Sequence, residues 1–332
     1  MATILVSVAR ASEQGVGGPL GPLHEAGHEV RHVPADAQTS ARELISALED
    51  CSSVVANIER YTREVFEGAP QLRHIARVGV GYDAVDIASA TAHGVLVTNT
   101  PGANASAVAD FAIGMLLAVA RHIPTFDGDV RRGGWQSRIG ADVWQQTLGI
   151  VGLGNIGRGV ARRARGFDMR VLAREPYPDE AFVREVGVEL VSLEQVFAES
   201  DFVTLHLPAS AETARMVDAR LLGLMKPTAY LINTARGALV DEDALYAALQ
   251  QRTIAGAALD VRESEPPRDP RFNELDNVVL SPHAAGSTPR AVNTAIRRAA
   301  EAVVAYLRGE PPDGVINPDV LAARPAGTSD RR

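Results

Sequence analysis

Short runs of apolar, often β-branched residues alternate with alanine-rich stretches of helical period from one end of the chain to the other, the pattern of α/β proteins with parallel sheets. In the first third this predicts strands at Ile4–Val8, Val30–Val33, Ser53–Ala56, His74–Val78 and Val95–Asn99. Later strands are predicted at Leu148–Val151, Met169–Ala173, Phe202–Leu207, Ala229–Asn233, Gly256–Val261 and Val278–Ser281, with helices at Ala105–Arg121, Arg158–Arg165, Glu242–Gln250 and Arg290–Gly309. The longest apolar run, Phe111–Ala120, is about half the roughly 20 residues that span a bilayer, so it reads as a buried helix and no membrane partner is expected. Thr98-Asn-Thr-Pro-Gly102 and Pro282–Pro289 look like hinges. If both are, residues 100–287 form one domain, and residues 1–99 pair with 288–332 to form a discontinuous second one. Residues from Arg324 onward read as a frayed tail.

Composition narrows the function more than the fold. A chain of 332 residues with 46% hydrophobic and 22% charged composition has material for two packed domains. Lys plus Arg is 33 against 41 for Asp plus Glu, a net charge of −8, which argues against a nucleic-acid partner. A single cysteine, Cys51, excludes a disulfide framework and a cysteine-rich metal site, and makes the cytoplasm the expected compartment. Met1–Val8 carries no targeting signal. Lys226 is the only lysine, a bias that fits codon usage; it leaves no GxxxxGK[ST] loop, so anions and carbonyls fall to arginine, histidine or backbone amides.

Three glycine turns compete as a dinucleotide site. Gly15-Val-Gly-Gly-Pro-Leu-Gly21 has the wrong spacing and a proline, and reads as a loop. Gly79-Val-Gly-Tyr-Asp-Ala84 follows a strand, with a helix expected from near Asp83, but the next strand ends in Asn99, Thr100 and Pro101, with no acid for the ribose hydroxyls. Gly152-Leu-Gly-Asn-Ile-Gly157 meets every condition: a strand before it, a helix after it, and Glu175 at the tip of the following strand. Gly152, Gly154, Asn155, Ile156, Gly157 and Glu175 are therefore expected to bind the cofactor. Glu175 favours NAD, because its carboxylate would repel the 2′-phosphate of NADP; Arg174 beside it keeps NADP as the less favoured alternative. Arg162, Arg163 and Arg165 read as a solvated helix face.

His24-Glu-Ala-Gly-His28 matches the HExxH zinc pattern, and His32 follows. The chemistry needs both histidines on one helix face, whereas Gly27 reads as a helix terminus and residues 29–33 as a strand. No metal site is expected.

Polar residues at the carboxyl ends of strands come next: His206, Thr234-Ala-Arg236, Asp260 with Glu263 and Glu265, and His283. Here the chain resembles a known family. Asn233-Thr-Ala-Arg-Gly-Ala-Leu-Val-Asp-Glu-Asp-Ala-Leu245, Ala258-Leu-Asp-Val-Arg-Glu-Ser-Glu-Pro266 and Ser281-Pro-His-Ala-Ala-Gly-Ser-Thr288 are similar to the signature segments of the D-isomer-specific 2-hydroxyacid dehydrogenases, a likeness running from about Leu72 to Asn317. The resemblance implies two doubly wound parallel-sheet domains, a Rossmann NAD-binding domain inserted into a flavodoxin-like substrate domain, and NADH-dependent reduction of a 2-oxo acid to a D-2-hydroxy acid. It implies that Arg236 binds the substrate carboxylate and polarises the keto oxygen, His283 donates the proton and Glu265, rather than Glu263, stabilises the imidazolium. Hydride transfer to a ketone builds charge on oxygen, so a fixed cation and a proton donor are what the chemistry needs. His206 is the alternative acid, although the family uses that strand end, His206 with Pro208, for the adenosine pocket. Asp260 would hold the nicotinamide carboxamide, and Thr234, Ala235 and Gly286 complete the implied cofactor set. Backbone amides of Val80 and Gly81 would hold the substrate carboxylate, and the apolar helix Ala105–Arg121 would help to form a homodimer.

Departures from the family limit the substrate. Phosphoglycerate dehydrogenases carry an arginine where this chain reads Val55-Ala-Asn57, with only Arg60 or Arg138 to replace it, and no regulatory domain follows. Formate dehydrogenases have glutamine in place of Glu265, and a phosphite-type reductase would need a lysine in the substrate loop. The aromatic residue usual after Asp-Val is Arg262, and the usual glutamate of the long helix is Asp110; the sequence accounts for neither. A non-enzymatic NADH sensor resembling the C-terminal-binding corepressors is the alternative from another class, although such proteins have extended tails.

Overall fold

The computed structural model describes residues 1–9 and 18–322. The chain divides into two compact units, Met1–Asn104 with the segment from Thr288 onward, and Ala105–Ser287.

In the first unit, β1 (Thr3–Val6), β2 (Glu29–His32), β3 (Cys51–Ala56), β4 (His74–Arg77) and β5 (Leu96–Thr98) form one parallel sheet in the order β2-β1-β3-β4-β5. This is the flavodoxin-like order. The helix Pro289–Leu307 completes the unit, burying Ile296, Ala299, Ala300 and Val303 against Ile4, Val6 and Val55. Asn317 ties the chain's later part to β5, its Oδ1 accepting from Val97 N at 2.8 Å.

In the second unit, β6 (Thr147–Val151), β7 (Arg170–Arg174), β8 (Glu189–Leu190), β9 (Phe202–Leu205), β10 (Tyr230–Asn233), β11 (Gly256–Leu259) and β12 (Val278–Leu280) make a parallel sheet in the order β12-β11-β10-β9-β6-β7-β8. Read from β8, this is the doubly wound dinucleotide-binding order with one additional strand. Every residue of β9, β10 and β11 is buried, as expected for strands covered on both faces. The helix Ala105–Ala120 buries Val108, Ala109, Ala112, Ile113, Met115, Leu116, Val119 and Ala120 within this unit. Among the described residues, no single helix is long and apolar enough to cross a membrane.

Several expectations need correction. The runs predicted to end at Leu207 and Val261 leave the ladder at Leu205 and Leu259, where polar residues begin. Strand β8 was not anticipated, because two exposed residues carry no periodicity. The helix after the third glycine turn starts at Asn155 rather than Arg158, since the turn feeds directly into it. The helix after the second starts at Ile87 rather than near Asp83; Asp86 caps it by accepting from Ser89 N at 3.0 Å. Of the arginines after Gly157, Arg162 and Arg165 are exposed as expected, Arg162 lying over the Phe182 ring at 4.9 Å, but Arg163 is half-buried and reaches Asp110 at 2.6 Å and Ser106 Oγ at 2.9 Å. That contact also gives Asp110 a partner. Gly15 to Gly17 of the first glycine turn, and the tail from Arg324, lie outside the described residues.

His24 belongs to the helix Gly21–Glu25, Gly27 follows in a left-handed conformation (φ 72°), and His28 precedes β2, so the two histidines of the HExxH match occupy different elements. Lys226 pairs with Asp201 Oδ1 at 2.8 Å, while Asp201 Oδ2 accepts from Thr147 N, which makes the lone lysine a tether at the start of the central strands β6 and β9.

Because β10 is sealed on both faces, Leu231→Ala should destabilise the protein by about 2–5 kcal/mol, measured by chemical denaturation; a loss below 1 kcal/mol would show that the sheet centre is not the core of this unit.

Candidate active site

The glycine turn joins β6 to the helix Asn155–Ala164 at the point where strand order reverses between β6 and β9, the place where open α/β sheets bind ligands. Gly157 is its tightest position: any side chain there would run into the Gly152 carbonyl oxygen. The helix N-terminus, opened by Asn155 and Ile156, therefore lies close under the turn with its N–H groups and dipole available to an anion. Glu175, just past β7, accepts from Leu153 N at 2.8 Å and Tyr177 N at 3.0 Å, which holds its carboxylate against the turn.

Two buried polar atoms at the neighbouring strand ends have no hydrogen-bond partner: His206 Nδ1 after β9 and Thr234 Oγ1 after β10. Unsatisfied buried groups are uncommon and call for a ligand or another explanation. With the close-packed turn and Glu175, they make a donor and acceptor set that fits a nicotinamide dinucleotide. Pro208 follows His206, its carbonyl accepting from Thr213 Oγ1, and Ala235 N donates to Asn233 Oδ1 at 3.0 Å, so both line ordered turns. Gly286 lies in the turn after Ala285.

Burial pushes the His206 imidazole down to about 3. A ring held neutral by burial is poorly suited to deliver a proton, which favours His283 over His206 for that role. His283 has the opposite environment. It follows β12 in a left-handed backbone conformation (φ 52°) that costs a non-glycine residue energy unless its surroundings impose it. Asp260, which is 1% exposed, imposes it. Its Oδ1 accepts from Ser281 Oγ at 2.6 Å and Ala284 N at 2.8 Å, its Oδ2 from Ala285 N at 2.9 Å, and its backbone oxygen from His283 N at 2.7 Å. Asp260, expected to hold the nicotinamide carboxamide, is thus the anchor of the histidine turn, and only its remaining lone pairs are left for a carboxamide.

From that turn, His283 Nδ1 meets Glu265 Oε2 at 2.7 Å. The hydrogen bond to Glu265 raises the imidazole's pKa, and the carboxylate's charge and Asp260 add to it; partial burial and the charge of Arg236 oppose the rise without cancelling it. For Glu265, burial works towards protonation, but His283, the Arg262 N–H and Arg236 outweigh it and hold the carboxyl below its usual range. Arg236 follows β10 in a turn braced by Asn233, whose Nδ2 donates to the Arg236 carbonyl at 2.9 Å. Its charge acts on both members of the pair. Glu263 does not reach the imidazole; its N–H donates to Glu242 Oε1 at 2.7 Å. A cavity of about 580 Å³ opens beside the pair, lined among others by Asp260, Arg262, Glu265, Ser281 and His283.

In the first unit, Val80 and Gly81 lie on the loop after β4. Asn99 Nδ2 donates to the Val80 carbonyl at 2.7 Å, Arg77 Nε to the Gly81 carbonyl at 3.2 Å, and Gly79 N to Thr100 Oγ1 at 2.9 Å. In the segment after the neighbouring strand β3, the fully buried Glu59 accepts from Ser7 Oγ at 2.6 Å and Tyr61 Oη at 2.8 Å. Nothing in the sequence pattern marked Glu59, nor Glu242, which holds Arg262 from the start of the helix Glu242–Gln250. Arg262 itself was marked, as a departure from the family's aromatic residue.

A dinucleotide turn with its acidic neighbour, and an imidazole paired with a carboxylate beside an arginine at the strand ends of the same sheet, define the class: an oxidoreductase that uses a nicotinamide cofactor. Residues 113–285 match the model of the D-isomer specific 2-hydroxyacid dehydrogenase NAD binding domain. The chain is 45% identical to the glyoxylate reductase of Korarchaeum cryptofilum over 300 residues, covering 88% of this chain and 90% of that one. It is 38% identical over 304 residues to the D-3-phosphoglycerate dehydrogenase of Methanocaldococcus jannaschii, covering 89% of this chain but only 58% of that one. The solved structure of an NADPH-dependent glyoxylate/hydroxypyruvate reductase from Sinorhizobium meliloti, in complex with NADP and malonate, superposes with a TM-score of 0.81 at 29% identity and covers 98% of this chain and 99% of that one. The chain belongs to the D-isomer-specific 2-hydroxyacid dehydrogenase family and is an NAD(P)-dependent oxidoreductase acting on the CH–OH group of a small 2-hydroxy acid or the matching 2-oxo acid.

Histidine NMR titration checks the electrostatics. His283 should titrate above 6.5, Glu265→Gln should bring it down, and His206 should stay neutral from mildly acidic pH upward. A His283 midpoint unchanged by Glu265→Gln would mean that the pair is not formed in solution.

Proposed function

We propose that this protein is an NADH-dependent reductase of a small 2-oxo acid of the glyoxylate type. The observation that carries this reading is the 2.7 Å pair of His283 and Glu265 under the charge of Arg236. Similarity to glyoxylate reductases over nearly their whole length favours glyoxylate over phosphoglycerate, as does the missing arginine at Val55-Ala-Asn57.

Bound nicotinamide supplies the hydride. The residues that would hold the cofactor are the Gly152–Gly157 turn, Glu175, His206, Thr234 and the backbone around Ala235 and Gly286. Arg236 binds the substrate carboxylate and polarises the carbonyl, fixing positive charge where the oxygen becomes negative; such preorganised groups are typically worth about 10²–10³ in rate. His283 holds its Nδ1 proton on Glu265 and delivers the Nε2 proton to the nascent alkoxide, while Glu265 stabilises the imidazolium. The Val80–Gly81 loop has its carbonyls turned towards Asn99 and Arg77, which leaves its amide side for the substrate carboxylate. The Glu175 carboxylate selects NADH over NADPH by accepting the ribose hydroxyls. The first-unit sheet would then serve as the substrate domain. Exposed Trp135, Ile139 and Trp144, following the helix Ile123–Arg131, support a homodimer, and one buried thiol suits a reducing compartment such as the cytoplasm.

The experiment is cofactor oxidation by purified protein with NADH or NADPH and a panel of glyoxylate, hydroxypyruvate and pyruvate, with chirality of the product where one exists. NADH-dependent turnover with D product supports the reading; tight NADH binding with no turnover on any acid would sink it and favour a sensor. His283→Ala should lower kcat by about 10²–10⁴ with the NADH Kd nearly unchanged. Reduction needs protonated His283, so kcat/KM should be full below its raised pKa and fall as pH rises through it, whereas oxidation of the hydroxy acid should rise through the same midpoint. Light scattering should give twice the chain mass.

A further inference from the structure

Arg262 occupies the position after Asp260-Val261 and is 8% exposed. Its Nε and Nη2 each lie 2.9 Å from an oxygen of Glu242, a two-pronged pair, and its guanidinium carbon sits 4.3 Å from the centre of the Phe272 ring. A buried Arg–Glu pair is at best a weak source of stability, because both charges must leave water; an aromatic side chain would fill the same slot without that cost. What the pair holds in place matters more than what it adds to stability. Glu242 also accepts from Glu263 N at 2.7 Å, so one carboxylate grips both the side chain and the backbone at the start of the 262–265 loop. From that loop, Arg262 N donates to Glu265 Oε1 at 3.2 Å, while Glu265 Oε2 meets His283. On its other face the loop touches the turn after β10: a side chain at Gly237 would collide with the Arg262 carbonyl, so the residue next to Arg236 rests directly on this peptide.

We propose that Arg262 and Glu242 are positioning residues, which lock the 262–265 backbone so that Glu265 is held on His283. Neither touches substrate or cofactor in this scheme; both act through Glu265. The inference rests on the catalytic reading given above. The groups that face His283 are Glu265, Asp260 and Arg236, and those that act on Glu265 are His283, the Arg262 N–H and Arg236; of the groups that face the histidine, Glu265 is the one the loop itself carries, so displacing the loop acts on the histidine chiefly through it.

The test compares Glu242→Gln, which keeps the side-chain shape, with Arg262→Lys, which keeps the charge but not the fork. Each is assayed for kcat, KM, NADH binding, melting temperature and the pH profile of reduction, beside His283→Ala and Glu265→Gln. The expected result is a fall in kcat of about tenfold or more, as small misplacements of catalytic groups produce. NADH affinity should change little, and the alkaline midpoint should move down towards that of Glu265→Gln. In the Glu265→Gln background, Glu242→Gln should add little, because both act through one group. A lowered melting temperature with an unchanged kcat and pH profile in both variants would overturn the proposal and leave the pair structural. Turnover surviving in His283→Ala would instead overturn the catalytic reading itself, which separates the two failures.

Discussion

Asp260 sits at the end of a strand buried on both faces, and its carboxylate must find donors inside the protein or cost several kcal/mol. The donors it finds are the hydroxyl of Ser281 and the amides of Ala284 and Ala285, with its own backbone oxygen taking the His283 amide. These four bonds turn the chain after β12 back across the end of β11 and hold a histidine in a left-handed conformation that it would not choose. The rest of the candidate site's geometry follows from that constraint. Once the imidazole is placed by its backbone, Glu265 can meet Nδ1 and leave Nε2 for chemistry.

The same unit contains two histidines at strand ends with opposite electrostatic fates. His206 is enclosed without a charge partner, and desolvation keeps it neutral; His283 is half-exposed against a carboxylate, which favours its charged form. Burial is the larger effect on the first and the hydrogen bond on the second, so location decides which ring can carry a proton. In this acidic chain with a single lysine, the charge of Arg236 acts on both His283 and Glu265, while Arg163 pairs with Asp110 and Arg170 with Glu189.

Much of this was legible in the sequence because it rests on local rules. The apolar runs marked the central strands, since a strand sealed on both faces must be continuously hydrophobic. Spacing marked Gly152–Gly157 and Glu175, because turn, helix and next strand have fixed lengths. Gly27 was enough to separate His24 from His28. What was not legible depends on long-range pairing: β8 is too short to show a period, Glu242 looks like an ordinary first-turn helix acid, and Glu59 becomes conspicuous only when β1 and β3 bring Ser7 and Tyr61 around it. Asp260 stands out in the sequence as a polar strand end, but its bonds to the histidine turn do not, because the amides it holds lie more than twenty residues further along.

Arg262 shows how a departure from a family pattern can carry information that the pattern does not. Replacing an aromatic residue by arginine at a buried position would be destabilising by itself, so the fold has to supply a counter-charge and a surface for the guanidinium. Glu242 supplies the first and Phe272 the second. An aromatic side chain constrains a loop only by filling space, whereas a two-pronged ion pair also fixes its direction, and the Glu263 amide on the same carboxylate extends that constraint towards Glu265. The loop that carries Glu265 is therefore held by the Glu242 carboxylate and by the close approach of Gly237.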